Sequence, residues 1–261
     1  MQKFNYHTHT KRCKHASGKD EEYILNAIAA GYTILGFSDH APYRDYPSKT
    51  SRMNWEQLDE YIETMTMLKE KYKDQIEIHI GLETEYFPFV HEERVELKNK
   101  VEYLLLGQHF SNPDLDGISY FKDNTDEEIL NYGKMVCEAL DTKMFLYLAH
   151  PDVFLNRQQE FTKVCEDVAH MIAKKCVETS TPVEVNIRGV MKGKKQFNNG
   201  LYYYYPHKPF WQIMAQYPIK CIYGIDAHNP NDLLDFKSVK NGIEELADLN
   251  LEFITEPFKF K

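Results

Sequence analysis

Short apolar and β-branched runs recur along the chain at 3–6, 33–37, 76–80, 103–106, 145–148, 183–186 and 220–223. Between them lie longer stretches of helical period, at 21–30, 55–72, 92–101, 126–140, 161–177, 208–216 and 233–249. Such alternation predicts parallel strands joined by helices, with a last apolar run at 251–254 closing or flanking the sheet. Gly31 suits a left-handed helix end, and Asp126 an N-cap or first-turn position. The segments 42–54, 112–125 and 189–209 read as long loops. No internal repeat or Pro-, Gly- or Ser-rich linker divides the chain, so residues 1–261 are expected to form one domain.

The polar positions that break this pattern carry the chemistry. His7 and His9 follow the first run, and in an extended segment residues two apart share a side, so both imidazoles can reach one cation. Asp39 and His40 follow the second run, Glu83 the third, His109 the fourth and His150 the fifth, while Asp226 and His228 follow the run at 220–223. His15 lies six residues beyond His9. In a parallel barrel every C-terminal strand end opens on one face, where the active sites of such folds are built. Seven histidines, one Glu and one Asp therefore converge on one mouth.

Glu83 is favoured over Glu85 because it falls just past Gly81, whose missing side chain allows close packing. Glu85 is expected to lie behind the ligands or in solvent. Asp39 can ligate, orient an imidazole or act in proton transfer. His79, His91 and His170 fall inside or beside predicted elements and are read as structural or surface residues. His207 sits in a loop long enough to fold over the mouth and is a lesser candidate for substrate contact.

Composition narrows the class. The chain has 43% hydrophobic and 27% charged residues, ordinary for a globular protein. A net charge of −9 makes it a poor match for nucleic acid, although local cations can hold a small anion. Residues after Met1 lack the apolar core of a secretory signal, and no run can span a bilayer, so a soluble cytoplasmic protein is expected. Five scattered cysteines without CxxC spacing indicate neither a disulfide framework nor a thiolate zinc site.

The series His7-Thr8-His9, His15, Ser38-Asp39-His40, Gly81-Leu82-Glu83, Gln108-His109, Ala149-His150-Pro151 and Asp226-Ala227-His228 resembles the polymerase and histidinol phosphatase (PHP) superfamily, nearly end to end. The Asp39-His40-Ala41-Pro42 run and the overall length are closer to the histidinol-phosphatase branch. The resemblance implies a distorted (β/α)7 barrel with three divalent metal ions at its mouth. By that analogy His7, His9, Glu83 and Asp226 hold the first ion, and Glu83 bridges to a second held by His109 and His150. His15, His40 and His228 hold the third. Nitrogen and oxygen donors of this kind suit zinc, manganese or iron better than calcium.

Three ions in one pocket serve phosphate-ester hydrolysis. His228 and Asp39 are the candidates for proton handling. Arg188 and Arg157, each following a strand or ligand, are the candidates for bidentate phosphate binding, with Lys192 and Arg44 behind them. The resulting expectation is hydrolysis of L-histidinol phosphate, a small phosphorylated substrate, to histidinol and phosphate. A PHP-type nuclease or general phosphoesterase is the alternative within the class. A non-catalytic metal-binding domain is the alternative outside it, and it would show gaps in the ligand set.

Overall fold

In the computed structural model, which describes residues 2–114 and 117–260, the two longest strands are buried along almost their whole length. Strand β2 (Ile34–His40) is buried except at its last residue and β3 (Glu77–Thr84) except at its first. Burial on both faces belongs to parallel sheets covered by helices. With β1 (Phe4–Asn5), β4 (Tyr103–Leu106), β5 (Tyr147–Leu148), β6 (Val183–Asn186), β9 (Lys220–Gly224) and β10 (Glu252–Phe253) they form one sheet, ordered β1-β2-β3-β4-β5-β6-β9-β10. Every pairing in it is parallel.

The crossovers are α1 (Asp20–Ala29), α2 (Leu58–Tyr72), α3 (His91–Lys100), α4 (Asp126–Asp141), α5 (Lys163–Thr179), α7 (Lys208–Met214) and α8 (Phe236–Glu245). Their starts follow local chemistry. The Thr125 hydroxyl caps α4 by accepting from the Glu128 N–H while the Glu128 carboxylate reaches back to Thr125. Asp126 is thus a first-turn residue, where its charge suits the helix dipole. Gly31, at φ 80°, follows the end of α1 as expected.

The sheet curls until its ends meet at one rim. Thr8 bridges Ala227 in parallel, the His9 N–H donates to the Ala227 carbonyl (2.8 Å), and the Ala227 N–H donates to that of His7 (3.2 Å). Seven strands, β1 to β6 and β9, therefore form the distorted barrel expected from the sequence. At the opposite rim β10 extends the sheet beyond β9. Tyr6, Tyr103 and Tyr147 fill the barrel interior, and Phe258 and Phe260 cover them from below.

Three expectations change. Segment 189–209 is not a loop: it holds part of α6 (Arg188–Met191) and the hairpin of β7 (Lys194–Phe197) and β8 (Gly200–Tyr203). The hairpin turns at Asn198-Asn199, and the Asn199-Gly200 pair is a recognisable turn signal. Strands β2 and β3 run further than expected, so His40 and Glu83 sit at strand ends rather than beyond them. The expected helices at 55–72 and 233–249 are each opened by a 3-10 turn, Trp55–Gln57 and Pro230–Leu234. In the expected loop 112–125, residues 115 and 116 lie outside the described residues. Among the described residues no helix is long and apolar enough to cross a membrane.

Candidate metal centre

His7 and His9 leave β1 in extended conformation on one side of the chain, and neither side chain is exposed. The Nδ1 of His7 lies 2.8 Å from Glu184 Oε1, which turns its Nε2 inward to 3.1 Å from His9 Nε2. Glu83 Oε2 lies 3.4 Å from both of these nitrogens, and Asp226 Oδ1 lies 3.5 Å from His7 and 3.1 Å from His9. Four donors at about 2.0–2.1 Å from one tetrahedral ion stand roughly 3.3 Å apart, which is this spacing. Glu83 Oε2 and Asp226 Oδ1 are buried without a well-formed hydrogen bond. Carboxylate oxygens left so are costly unless a cation meets them, so the residues fit a metal ion.

The other oxygen of Glu83 faces a second cluster. Its Oε1 lies 2.7 Å from His150 Nε2 and 3.4 Å from His109 Nε2, and the two imidazole nitrogens are 3.2 Å apart. A third group joins His15, His40 and His228, with His15 Nε2 3.0 Å from His228 Nε2. The Nδ1 atoms of His15 and His228 lie 2.9 and 3.0 Å from the carbonyls of Cys13 and Asp226, which leaves each Nε2 free to ligate. His40 is shared, because its Nδ1 is also 3.1 Å from Glu83 Oε2. His150 and Asp226 adopt left-handed backbone at φ 28° and 54°, an unfavourable state for residues with side chains that recurs where function demands a special geometry.

Burial and charge divide the ionisable groups. Burial works against the carboxylates of Glu83 and Asp226, but nearby imidazoles, His7 foremost, hold both well below the usual carboxylate range. Burial also opposes the His109 imidazolium, yet Glu83 and Glu85 raise it to about 10. His228 is pushed down to about 3, chiefly by burial and then by His9. Protons and metal ions compete for such nitrogens.

Over the clusters opens a pocket of about 320 Å³, walled by Arg52, Glu85, Phe121, Arg188, Lys192 and Tyr205. Arg188 reaches 3.4 Å from Asp232, and the Lys192 ammonium donates to the Tyr205 hydroxyl at 2.8 Å. Glu85 is neither solvated nor a member of the clusters. It accepts from the Tyr43 hydroxyl (2.9 Å) and stands 3.5 Å from His109 Nδ1.

Several residues fall elsewhere than expected. Asp39 is fully buried behind His9, 3.4 Å from its Nδ1, where it accepts from the Thr10 hydroxyl and the His40 N–H; it does not line the pocket. Arg157, two residues past the 3-10 turn Val153–Leu155, is exposed and outside the pocket lining. Arg44 pairs with Glu93 and Glu96 and stacks on Trp55. His207 is buried among Phe161, Phe197 and Tyr202, away from the mouth. His79, His91 and His170 have structural partners in Glu102, Tyr86 and Tyr217.

Residues 5–188, more than half of the chain, match the PHP domain. The chain belongs to the PHP domain family. The match stops short of Asp226 and His228, which the barrel nevertheless brings to the same mouth. Among relatives of this PHP chain, one from Schizosaccharomyces pombe, named probable histidinol-phosphatase, is 26% identical over 94% of this chain and 87% of its own length. A histidinol-phosphatase from Bacillus subtilis is 24% identical over 89% of this chain and 96% of its own. The crystal structure of histidinol phosphate phosphatase from Lactococcus lactis, complexed with zinc, L-histidinol and phosphate, superposes with a TM-score of 0.74 at 16% identity, over 97% of this chain and 95% of that one. That likeness establishes the fold.

Sequence reading missed Glu184 and Arg52. Glu184 is a single acid inside the short strand β6, and an acid between two valines is the available signal. Arg52 lies in the loop 42–54, where nothing in the pattern separates a pocket residue from a surface one.

Proposed function

We propose that this PHP chain is a metal-dependent phosphatase that hydrolyses L-histidinol phosphate to L-histidinol and phosphate. The observation that carries the reading is the gathering of nine donor residues round one mouth, with buried oxygens of Glu83 and Asp226 left without a well-formed hydrogen bond. His7, His9, Glu83 and Asp226 would hold one divalent ion, Glu83, His109 and His150 a second, and His15, His40 and His228 a third, with zinc, manganese or iron suited to the donors. Bound ions of this kind supply positive charge against the phosphoryl oxygens and make water acidic enough to attack near neutral pH.

The chain's own residues position the ester. Arg188 and Lys192 present cationic groups on one pocket wall, in reach of a phosphoryl group over the clusters. Phe121, whose ring lies parallel to His109 at 5.5 Å, offers a flat apolar surface to the departing alcohol. Asp39, sealed off beneath His9, orients that imidazole rather than carrying protons. His228 gives up its expected proton-handling part, since one nitrogen faces the Asp226 carbonyl and the other the third cluster.

The names of the curated relatives and the zinc, histidinol and phosphate of the L. lactis structure support this substrate. The test is phosphate release by protein loaded with zinc or manganese, offered histidinol phosphate beside sugar and other amino-alcohol phosphates. Preference for histidinol phosphate is expected. Efficient cleavage of the other esters with none of histidinol phosphate overturns the substrate and favours a general phosphoesterase. Replacing His9 with Ala should abolish turnover while the fold survives; a purely structural metal domain would instead lose stability.

A further inference from the structure

Glu184 touches two clusters at once without entering the pocket. Its side chain is fully buried on β6, and Oε1 lies 2.8 Å from His7 Nδ1. Its Oε2 accepts from the backbone N–H of His150 at 3.1 Å and from Asn186 Nδ2 at 3.0 Å. The same Asn186 nitrogen lies 3.2 Å from Asp226 Oδ2. One carboxylate thus meets a residue of the first cluster and a residue of the second, and Asn186 links it to the carboxylate of Asp226. The His150 N–H that it holds belongs to a residue in left-handed backbone, at the base of one of the imidazoles of the second cluster.

We infer that Glu184 is a positioning residue that couples the two ion sites spanned by Glu83, so that filling one site tightens the other. The inference rests on the reading that these clusters hold metal ions. A carboxylate on Nδ1–H fixes the imidazole tautomer and makes Nε2 a better ligand. Ordering His7 on an ion also orders Glu184, and with it the backbone that carries His150. By linkage the effect is reciprocal. Glutamine cannot replace Glu184 in this role. Three donors converge on the carboxylate, whereas an amide offers one acceptor oxygen and sets its NH2 against either the His7 or the His150 donor.

Metal-stripped wild-type and Glu184→Gln proteins titrated with zinc against a chromophoric chelator, and melted with and without zinc, test this. The wild type is expected to take up its first two ions cooperatively. The variant should reach the same occupancy with affinity weaker by about 10–100-fold, without cooperativity, and with a smaller zinc-induced rise in melting temperature. Wild-type affinity in the variant overturns the inference. So does an equal fall of both melting temperatures that leaves the zinc-induced rise unchanged, the mark of a structural role alone. Independent uptake of the two ions by the wild type overturns it even if the variant fails to fold. Gly224→Ala is the second variant, because a Cβ there would lie 1.5 Å from Glu184 Oε1 and must displace the carboxylate with its charge retained. A wild type that takes up no zinc, manganese or iron overturns instead the metal reading beneath it.

Discussion

The carboxylate of Glu83 occupies the space that a side chain at Gly107 would need: a Cβ on residue 107 would lie 2.0 Å from Glu83 Oε1 and 2.6 Å from its Cδ. The whole end of Glu83, not one flexible atom, would have to move. Gly107→Ala should therefore drive Glu83 off both clusters while leaving the barrel folded, since residue 107 lies past the end of β4. The expected result is loss of bound zinc and a fall in kcat of about 100-fold or more, given that misplacing a reacting group by about 1 Å can cost this much. Metal analysis with steady-state kinetics checks it, and circular dichroism reports the fold.

Metal counting separates the roles proposed for the ligands. Glu83 uses one oxygen toward His7 and His9 and the other toward His150 and His109. His15 contacts only the third group. Glu83→Gln should lower the bound ions by two per chain and His15→Ala by one, as read by elemental analysis after gel filtration. Equal losses would contradict the bridging assignment.

The legibility of this site follows from what sequence encodes locally. Candidate ligands at the ends of apolar runs stand out because a histidine or acid there breaks a strand pattern, and the parallel fold then places such ends together. The hairpin at 194–203 is hard to read from sequence because its strands are only four residues long and largely unburied, and β7 is mostly polar, despite the Asn199-Gly200 signal. Arg157 lies outside the pocket lining, which its distance along the chain from His150 does not encode. Asp39 was recognised as chemically placed, but its part depends on whether it faces the pocket or the back of His9, and one residue of register in β2 decides that.

Acid should unfold the metal-free protein partly through Glu102, at the rim of the barrel opposite the mouth. Burial raises its pKa, but contacts from His79 (2.6 Å), Lys69 (2.7 Å) and the Ile80 N–H (3.1 Å) lower it from 4.5 to about 2. The folded pKa is depressed, so the unfolded chain binds the proton first. The stabilisation is complete above about pH 4.5 and is lost as pH falls toward 2. Discounted for the quarter of the side chain that remains exposed, it is on the order of 2 kcal/mol. Glu102→Gln should flatten the acid limb by about 1–2 kcal/mol between pH 6 and pH 3 in urea titrations of metal-free protein. A limb of unchanged slope would refute it.

Phe260 packs 4.2 Å from the ring of His79, 5.5 Å from Tyr103 and 5.7 Å from Tyr6, and so closes the barrel from the side opposite the site. Because it is half-buried, Phe260→Ala should cost about 1–3 kcal/mol, less than a fully buried Phe. No residue of the mouth is touched. Denaturant midpoints should fall while kcat/KM and bound zinc stay at wild-type values, and a loss of zinc would show that the bottom layer sets the position of β1.

Two arginines give the sharpest contrast. Arg188 opens α6 on the pocket wall and is held only loosely, at 3.4 Å from Asp232 and 3.5 Å from the Asp226 carbonyl, so its guanidinium is free to turn toward an anion. Arg157 is exposed beyond the pocket. Loss of a charged hydrogen bond to a phosphoryl group is worth about 1.5–3 kcal/mol, or roughly 10–150-fold. Arg188→Ala should thus lower kcat/KM for histidinol phosphate by that factor and weaken competitive inhibition by inorganic phosphate to match. Arg157→Ala should leave both within about twofold, the ordinary range for a surface substitution. Equal effects of the two would mean that the phosphate is held from outside the pocket wall, and a silent Arg188→Ala would leave Lys192 as the cation to replace next.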